Sequence, residues 1–178
     1  MAPAARSLAD PSPLLLLGAF PLGLYMVGLD VSPSRLRLFA YHKWIGVTVF
    51  AVAVLRLGWH LWSPRPALPD AMPAWERRAA ATVHRLLYLL VLAVPLSGWL
   101  MSSAKGFQTV YFAVLPIPDA LGKNAALGAA LEEVHWALNK MLLFAVCLHI
   151  AAALKHHYLD RDGILLRMLP RWIGPEHR

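Results

Sequence analysis

Four long apolar blocks limit what this chain can fold into. They run approximately over residues 14–29, 39–62, 80–103 and 131–159. Because a helix rises about 1.5 Å per residue, roughly 20 apolar residues cross a hydrocarbon core of about 30 Å. A membrane β-barrel would show short segments of alternating hydrophobicity instead, and the sequence has none. The pattern predicts an all-α integral membrane protein folded as one four-helix bundle.

The composition also favours a lipid environment. Of the 178 residues, 58% are hydrophobic and 15% are charged, whereas soluble domains average about 25% charged residues. The net charge of +7 could suggest nucleic-acid binding, but the arginines are scattered between apolar blocks and form no single basic face. Cys147 is the only cysteine, so neither an intramolecular disulfide nor a thiolate metal cluster is predicted.

The first block permits two interpretations. It is short for a membrane span, and Pro21 predicts a kink. Asp10 and Pro11 before it suit the N-cap and the first position of a helix. The alternative is a secretory signal peptide, because Arg6 precedes an apolar stretch of suitable length. No small-x-small cleavage site follows at residues 25–28, which favours a retained helix.

Basic residues near the ends of the blocks predict the orientation of the bundle. One side holds Arg6, Arg65, Arg77, Arg78, Lys155, Arg161, Arg167, Arg171 and Arg178, and the other side holds Arg35, Arg37, Lys105 and Lys123. Since cytoplasmic loops collect Lys and Arg, both termini are predicted to be cytoplasmic. The longest connection, residues 104–130, is predicted to cover the outer end of the bundle.

Four histidines lie inside the predicted spans, where an ionisable side chain is costly and therefore suggests function. With both termini inside, His42 and His135 fall at one outer depth, and His84 and His149 fall together near the inner face. His135 and His149 are fourteen residues apart. One face of the fourth helix therefore presents both rings, about 21 Å apart.

Imidazole rings paired at two depths suit haem iron better than zinc. Haem iron takes axial histidines and is commonly held in a helix-bundle core, whereas zinc needs three or four ligands at one point. Interhelical hydrogen bonding is the alternative role for such histidines. Arg56 lies fourteen residues after His42. It suits a haem propionate at the inner depth, and it equally suits a side chain reaching the lipid headgroups.

Several segments together resemble the bacterial cytochrome b561 family of small four-helix membrane cytochromes. The resemblance covers nearly the whole chain and depends on their combination. The segments are GLYMVGL at residues 23–29, YHKWIGVT at 41–48, HRLLYLL at 84–90, EVHW at 133–136, LHIAAALKHHY at 148–158 and LLRMLP at 165–170.

The resemblance implies two b haems. It implies that His42 and His135 hold the outer one, and that His149 and a histidine at the start of the first helix hold the inner one. Here Ala9 and Asp10 stand where that histidine is expected, and no histidine precedes His42. Three alternatives follow for the inner site: His84 supplies the missing ligand, His149 binds haem alone, or the site is empty.

The resemblance also implies a function and a location. Similar proteins in the bacterial inner membrane pass electrons between an outer-side donor, for which superoxide is one candidate, and ubiquinone or another membrane quinone. His156, His157 and Tyr158 could contact quinone or simply anchor the interface. Three lysines near the outer end, Lys43, Lys105 and Lys123, could attract an anionic donor or be ordinary loop charges.

A second functional class stays open at this point. A chain that binds only the outer haem would act as a membrane anchor, or as a subunit through which electrons enter, for a periplasmic redox partner. Such a chain would have no turnover of its own.

Overall fold

The structure, a computed structural model, describes residues 12–62 and 73–160. Its helices are α1 (Ser12–Val27), α2 (Pro33–Trp62), α3 (Ala74–Ala104) and α4 (Ala125–Lys155), and a π-helical turn (His156–Asp160) follows α4. Two short antiparallel strands, β1 (Thr109–Tyr111) and β2 (Leu115–Ile117), form a hairpin between α3 and α4. In the part of the chain described, this hairpin is the only β-structure in an otherwise helical fold.

Three of the helices are long and apolar enough to cross a membrane. Helices α2, α3 and α4 have 30, 31 and 31 residues, and each contains a strongly hydrophobic window with few charges. Helix α1 has 16 residues, fewer than the roughly 20 that cross a bilayer. It continues through Pro21. The start predicted at Asp10 and Pro11 lies outside the described residues.

Helices α2, α3 and α4 begin about six residues before the apolar blocks that they contain, at Pro33, Ala74 and Ala125. Helix α2 begins at Pro33, and the hydroxyl of Ser32 accepts a hydrogen bond of 3.2 Å from the backbone N–H of Arg35. Helix α4 begins after Asn124, whose side chain accepts from Leu127 N–H at 3.0 Å. Ser and Asn are preferred N-caps, and Pro suits the first helical position. The apolar residues therefore indicate the membrane-spanning part of α2 and α4, and the capping residues indicate where each of these helices begins.

The helices pack in chain order, α1 on α2, α2 on α3, and α3 on α4, with α3 and α4 in the most extensive contact. No Cα atom of α2 lies within 8 Å of one in α4, so these two helices face each other across the interior. Four residues form the buried core, with Leu16 and Phe20 of α1 packed against it: Leu90, Val94, Leu142 and Ala145. This apolar layer lies between the two histidine levels.

The end of the bundle where α2 begins is called the outer end, following the predicted orientation, and the opposite end is the inner end.

Hydrogen bonds attach the hairpin and the residues just before it to α2 beside His42. Lys43 Nζ donates to the carbonyl of Phe107 at 2.9 Å, and Trp44 Nε1 donates to that of Val110 at 2.8 Å. Ser102 Oγ of α3 also donates to Phe107 O, at 2.5 Å. The long connection therefore closes the outer end against α2 and α3.

Replacing Trp44 by Phe should loosen the hairpin, because the substitution removes the hydrogen bond to Val110 O. A hydrogen bond contributes about 1 kcal/mol net to stability. Its loss should therefore increase the equilibrium constant for opening of the hairpin roughly fivefold. Amide hydrogen exchange of residues 109–117 in detergent measures this opening. Trp59→Phe is the control, since Trp59 lies exposed on the same helix. Equal exchange rates in both variants would contradict the role given to Trp44.

Candidate functional site

At the outer end, the imidazole rings of His42 and His135 meet across the bundle. Their centroids are 6.5 Å apart and their planes are nearly perpendicular, at 88°. Two imidazoles on opposite sides of one metal atom have centroids roughly 6 Å apart, because each metal–nitrogen bond is about 2 Å long. The pair therefore has the spacing of two axial ligands of one iron.

Hydrogen bonds orient the ring of His135. Its Nδ1 lies 2.9 Å from Ser97 Oγ and 3.1 Å from Val94 O. Ser97 donates its own hydroxyl hydrogen to Val94 O at 2.8 Å, so both neighbours of Nδ1 act as acceptors. The proton of the neutral ring is thus assigned to Nδ1, which leaves the Nε2 lone pair for a metal. Such outer contacts also fix the ring orientation of metal-binding histidines.

Glycines of the neighbouring helices give both rings their space. A Cβ added at Gly23 of α1 would lie 3.1 Å from Cε1 of His42, and one at Gly98 of α3 would lie 3.0 Å from Cε1 of His135. Glycine inside a helix costs about 1 kcal/mol relative to alanine. Here the close contacts with the two histidine rings explain why glycine occurs at both positions. The sequence pattern predicts no role for these two glycines, although a glycine within an apolar helix can indicate that another group lies close against the helix.

Three buried polar atoms at the outer end have no hydrogen-bond partner among the described residues: His42 Nδ1, Arg35 Nε and Trp99 Nε1. Buried polar groups are rarely left unpaired in folded proteins. They lie on α2 and α3 at the end of the bundle that holds the histidine pair, which fits a polar group bound within this end.

At the inner end, the rings of His84 and His149 are in edge-to-face contact. Their centroids are 5.1 Å apart with an interplanar angle of 64°, and both side chains are half-buried. This separation is roughly 1 Å shorter than two ligands on one metal require. The rings come from adjacent helices, whereas the outer rings come from helices on opposite sides of the interior. Iron between them would require the imidazoles to move apart.

Arg56 lies near this inner pair. Its guanidinium carbon is 5.5 Å from the ring centroid of Tyr88, which follows His84 by one helical turn on α3. The contact is a cation–π interaction, and it directs the charge toward α3. At the same end, Lys155 Nζ lies 2.6 Å from Glu76 Oε1, which joins the end of α4 to the start of α3.

The remaining predicted residues lie at the two ends of the bundle. His156, His157 and Tyr158 occupy the π-helical turn, where the rings of His157 and Tyr158 have centroids 4.8 Å apart. At the outer end, Lys43 is bonded to Phe107 O and Lys105 forms an ion pair of 2.7 Å with Glu132. These two lysines thus have structural partners in the described chain.

Comparison with known proteins decides the family. A family model described as prokaryotic cytochrome b561 matches residues 13–171. The chain belongs to this family. The match includes nearly all of α1.

The relatives are similar along most of their length. Cytochrome b561 homolog 2 of Escherichia coli K12 is 34% identical over 160 residues, covering 89% of this chain and 85% of the relative. Cytochrome b561 homolog 1 of the same organism is 31% identical over 158 residues, covering 88% and 84%. A Yersinia pestis protein named "Probable superoxide oxidase CybB" is 30% identical over 170 residues, covering 90% and 96%.

Family membership confirms the predicted resemblance and the helical membrane bundle. This cytochrome b561 homologue is a multi-pass bacterial membrane protein of a haem-binding family. The outer pair fits a b haem on three observations of the structure: the ring spacing, the hydrogen bonds that orient His135, and the glycines that accommodate both rings.

Gly98→Ala should weaken haem binding, because the added methyl group would lie 3.0 Å from the His135 ring. Misplacing an axial ligand should lower haem affinity about tenfold, the lower end of the range for disturbed outer contacts. The measurement is haem per chain, by pyridine haemochrome assay, after washing with apomyoglobin. Gly58→Ala is the control, since nothing lies within 4 Å of its added Cβ. Equal haem retention by both variants would refute the contact.

Proposed function

We propose that this cytochrome transfers electrons between an outer-side donor, with superoxide as the first candidate, and membrane quinone. The observation that carries the proposal is the His42–His135 pair, whose 6.5 Å separation across the bundle fits one iron. The relative named as a probable superoxide oxidase supports this choice of donor. In balanced form, two superoxide ions yield two O2 and two electrons, and quinone takes up both electrons with two protons.

The chain's own residues have defined roles in this proposal. Haem, when bound, supplies one-electron chemistry at iron. His42 and His135 would hold the haem, and Ser97 with the Val94 carbonyl orients the His135 ring. The hairpin fastened to Lys43 and Trp44 closes the outer end beside His42. Burial and the nearby hydrogen bonds then influence the reduction potential.

For the inner site, we propose that His84 replaces the ligand that is absent from the first helix and pairs with His149. The ring contact between them supports this assignment. The two rings must separate by roughly 1 Å to accommodate iron. Arg56 is positioned over Tyr88 at this level, which suits neutralisation of a propionate.

The proposed quinone contact lies at the inner end, on His156, His157 and Tyr158. The Tyr158 side chain is 68% exposed, so a lipid-borne headgroup can reach it. π-Helical turns often occur at functional sites, and imidazole and phenol groups can supply the protons that quinone takes up on reduction.

The missing first-helix histidine favours one alternative function. Should the inner site hold no haem, the chain would be a haem-binding membrane anchor, or a subunit through which electrons enter, for a periplasmic redox partner. Quinone reduction by the isolated chain would rule this alternative out.

Haem stoichiometry tests the ligand assignments. The wild-type protein should carry about two haems per chain, and His84→Ala and His149→Ala should each leave about one. His42→Ala and His135→Ala should each remove the other haem. The readouts are haemochrome content and the low-spin signals in electron paramagnetic resonance, with His177→Ala as the control.

Other haem contents or spectra would contradict particular ligand assignments. About one haem in the wild type, unchanged by His149→Ala, would show an empty inner site. A high-spin signal that His149→Ala removes and His84→Ala leaves intact would show ligation by His149 alone. Unchanged pigment after replacing both His42 and His135 would refute the outer site.

Electron transfer is tested in proteoliposomes that contain ubiquinone and receive enzymatically generated superoxide. Quinol formation should fall at least tenfold in His42→Ala and in His135→Ala, because each variant removes an axial ligand of the outer haem. His177→Ala should retain the wild-type rate. A wild-type rate no faster than that of protein-free liposomes would contradict turnover by the chain alone.

A further inference from the structure

Arg35 lies on the same face of α2 as His42. The two residues are seven apart, which returns a helix to within about 20° of the same direction and raises it by roughly 10 Å. Arg35 is therefore two turns outward from the axial ligand. Arg56 lies on the same face in the opposite direction, fourteen residues inward from His42.

The side chain of Arg35 is turned toward the protein. Its Nε is buried and has no hydrogen-bond partner in the described chain, and its guanidinium carbon is 5.5 Å from the ring centroid of Phe39. Arg37, two residues along the same helix, is exposed. Of these two arginines at the start of α2, only Arg35 places a donor out of contact with solvent.

The buried Nε–H of Arg35 needs a hydrogen-bond acceptor, because buried polar groups are rarely left unpaired. The guanidinium keeps its positive charge in proteins, so an anion is the acceptor that suits it best. In residues 12–62 and 73–160, no acidic side chain forms an ion pair with Arg35. Of the acidic groups near this end, Glu132 is paired with Lys105, and Asp119 interacts electrostatically with Lys43.

A carboxylate is the anion that matches the guanidinium, because its two oxygens accept two parallel hydrogen bonds. Haem b carries two propionate carboxylates on one edge of its macrocycle. A lipid phosphate would instead be expected at Arg37, whose side chain faces outward from the bundle. The buried Nε of Arg35 on the histidine face favours the cofactor.

We propose that Arg35 binds a propionate of the haem held by His42 and His135, an assignment that rests on the proposed function. Arg35 is then the outer counterpart of Arg56 at the inner end. Trp99 Nε1 is a second N–H donor at this end that is buried without a partner in the described chain.

The test compares Arg35→Gln with Arg37→Gln in haem-loaded, full-length protein. The readout is the midpoint potential of the haem that His42→Ala removes. Loss of the positive charge beside a propionate favours ferric iron, so Arg35→Gln should shift the reduction equilibrium about tenfold, or 59 mV, to lower potential. Arg37→Gln should match the wild type, and Arg35→Lys should recover part of the shift.

Resonance Raman spectroscopy of the propionate bending mode identifies the partner directly. This mode should move in Arg35→Gln and stay unchanged in Arg37→Gln. A lower potential with an unmoved propionate mode would mean that Arg35 binds another anion, and an unchanged potential would mean that it binds none; either result overturns the assignment. Wild-type protein without haem would overturn the proposed function together with this assignment.

Discussion

The meeting of two imidazole rings in the middle of the outer half of the bundle is the constraint on which the surrounding structure depends. Helices α2 and α4 lie too far apart for direct backbone contact, yet His42 and His135 approach to 6.5 Å between ring centroids. Glycine at positions 23 and 98 lets α1 and α3 lie against the rings. Because polar side chains are costly inside a membrane, this convergence needs a chemical reason, and iron coordination supplies one.

The two histidine levels differ in the helices that build them. The outer rings cross the interior from α2 to α4, whereas the inner rings lie on α3 and α4, the two helices in most extensive contact. The inner rings also approach more closely, with centroids 5.1 Å apart against 6.5 Å at the outer level. The sequence has no histidine before His42, and the ring beside His149 comes from α3.

Charged and hydrogen-bonding groups gather at the two ends, while the middle is apolar. Leu90, Val94, Leu142 and Ala145 fill the layer between the histidine levels. Arg35 and the hairpin contacts occupy the outer end, and Arg56 and the Glu76–Lys155 ion pair occupy the inner end. This distribution keeps water from the centre of the bundle and places positive charge near each histidine pair.

The hairpin shows why part of the structure escaped prediction from the sequence. Its turn contains Phe112 and Ala113, both with positive φ values of 49° and 60°. Turns of this kind normally use Gly, Asn or Asp, so residues 109–117 carry no recognisable hairpin pattern. The hairpin is held in place because Trp44 of α2 binds the Val110 carbonyl and Ser102 of α3 binds the Phe107 carbonyl just before β1. Both are contacts between different elements of the fold.

The amino-acid sequence by itself determined the number of apolar helices, the matching depths of the histidines and the family, because hydrophobic length, helical spacing and motif identity are local properties. Only the tertiary structure decided that Gly23 and Gly98 touch the imidazoles and that Ser97 and Val94 orient His135. It also decided that Nε of Arg35 is buried while the Arg37 side chain is exposed. These features depend on how each helix is rotated and shifted against its neighbours. Packing between helices sets that arrangement, and no single segment encodes it.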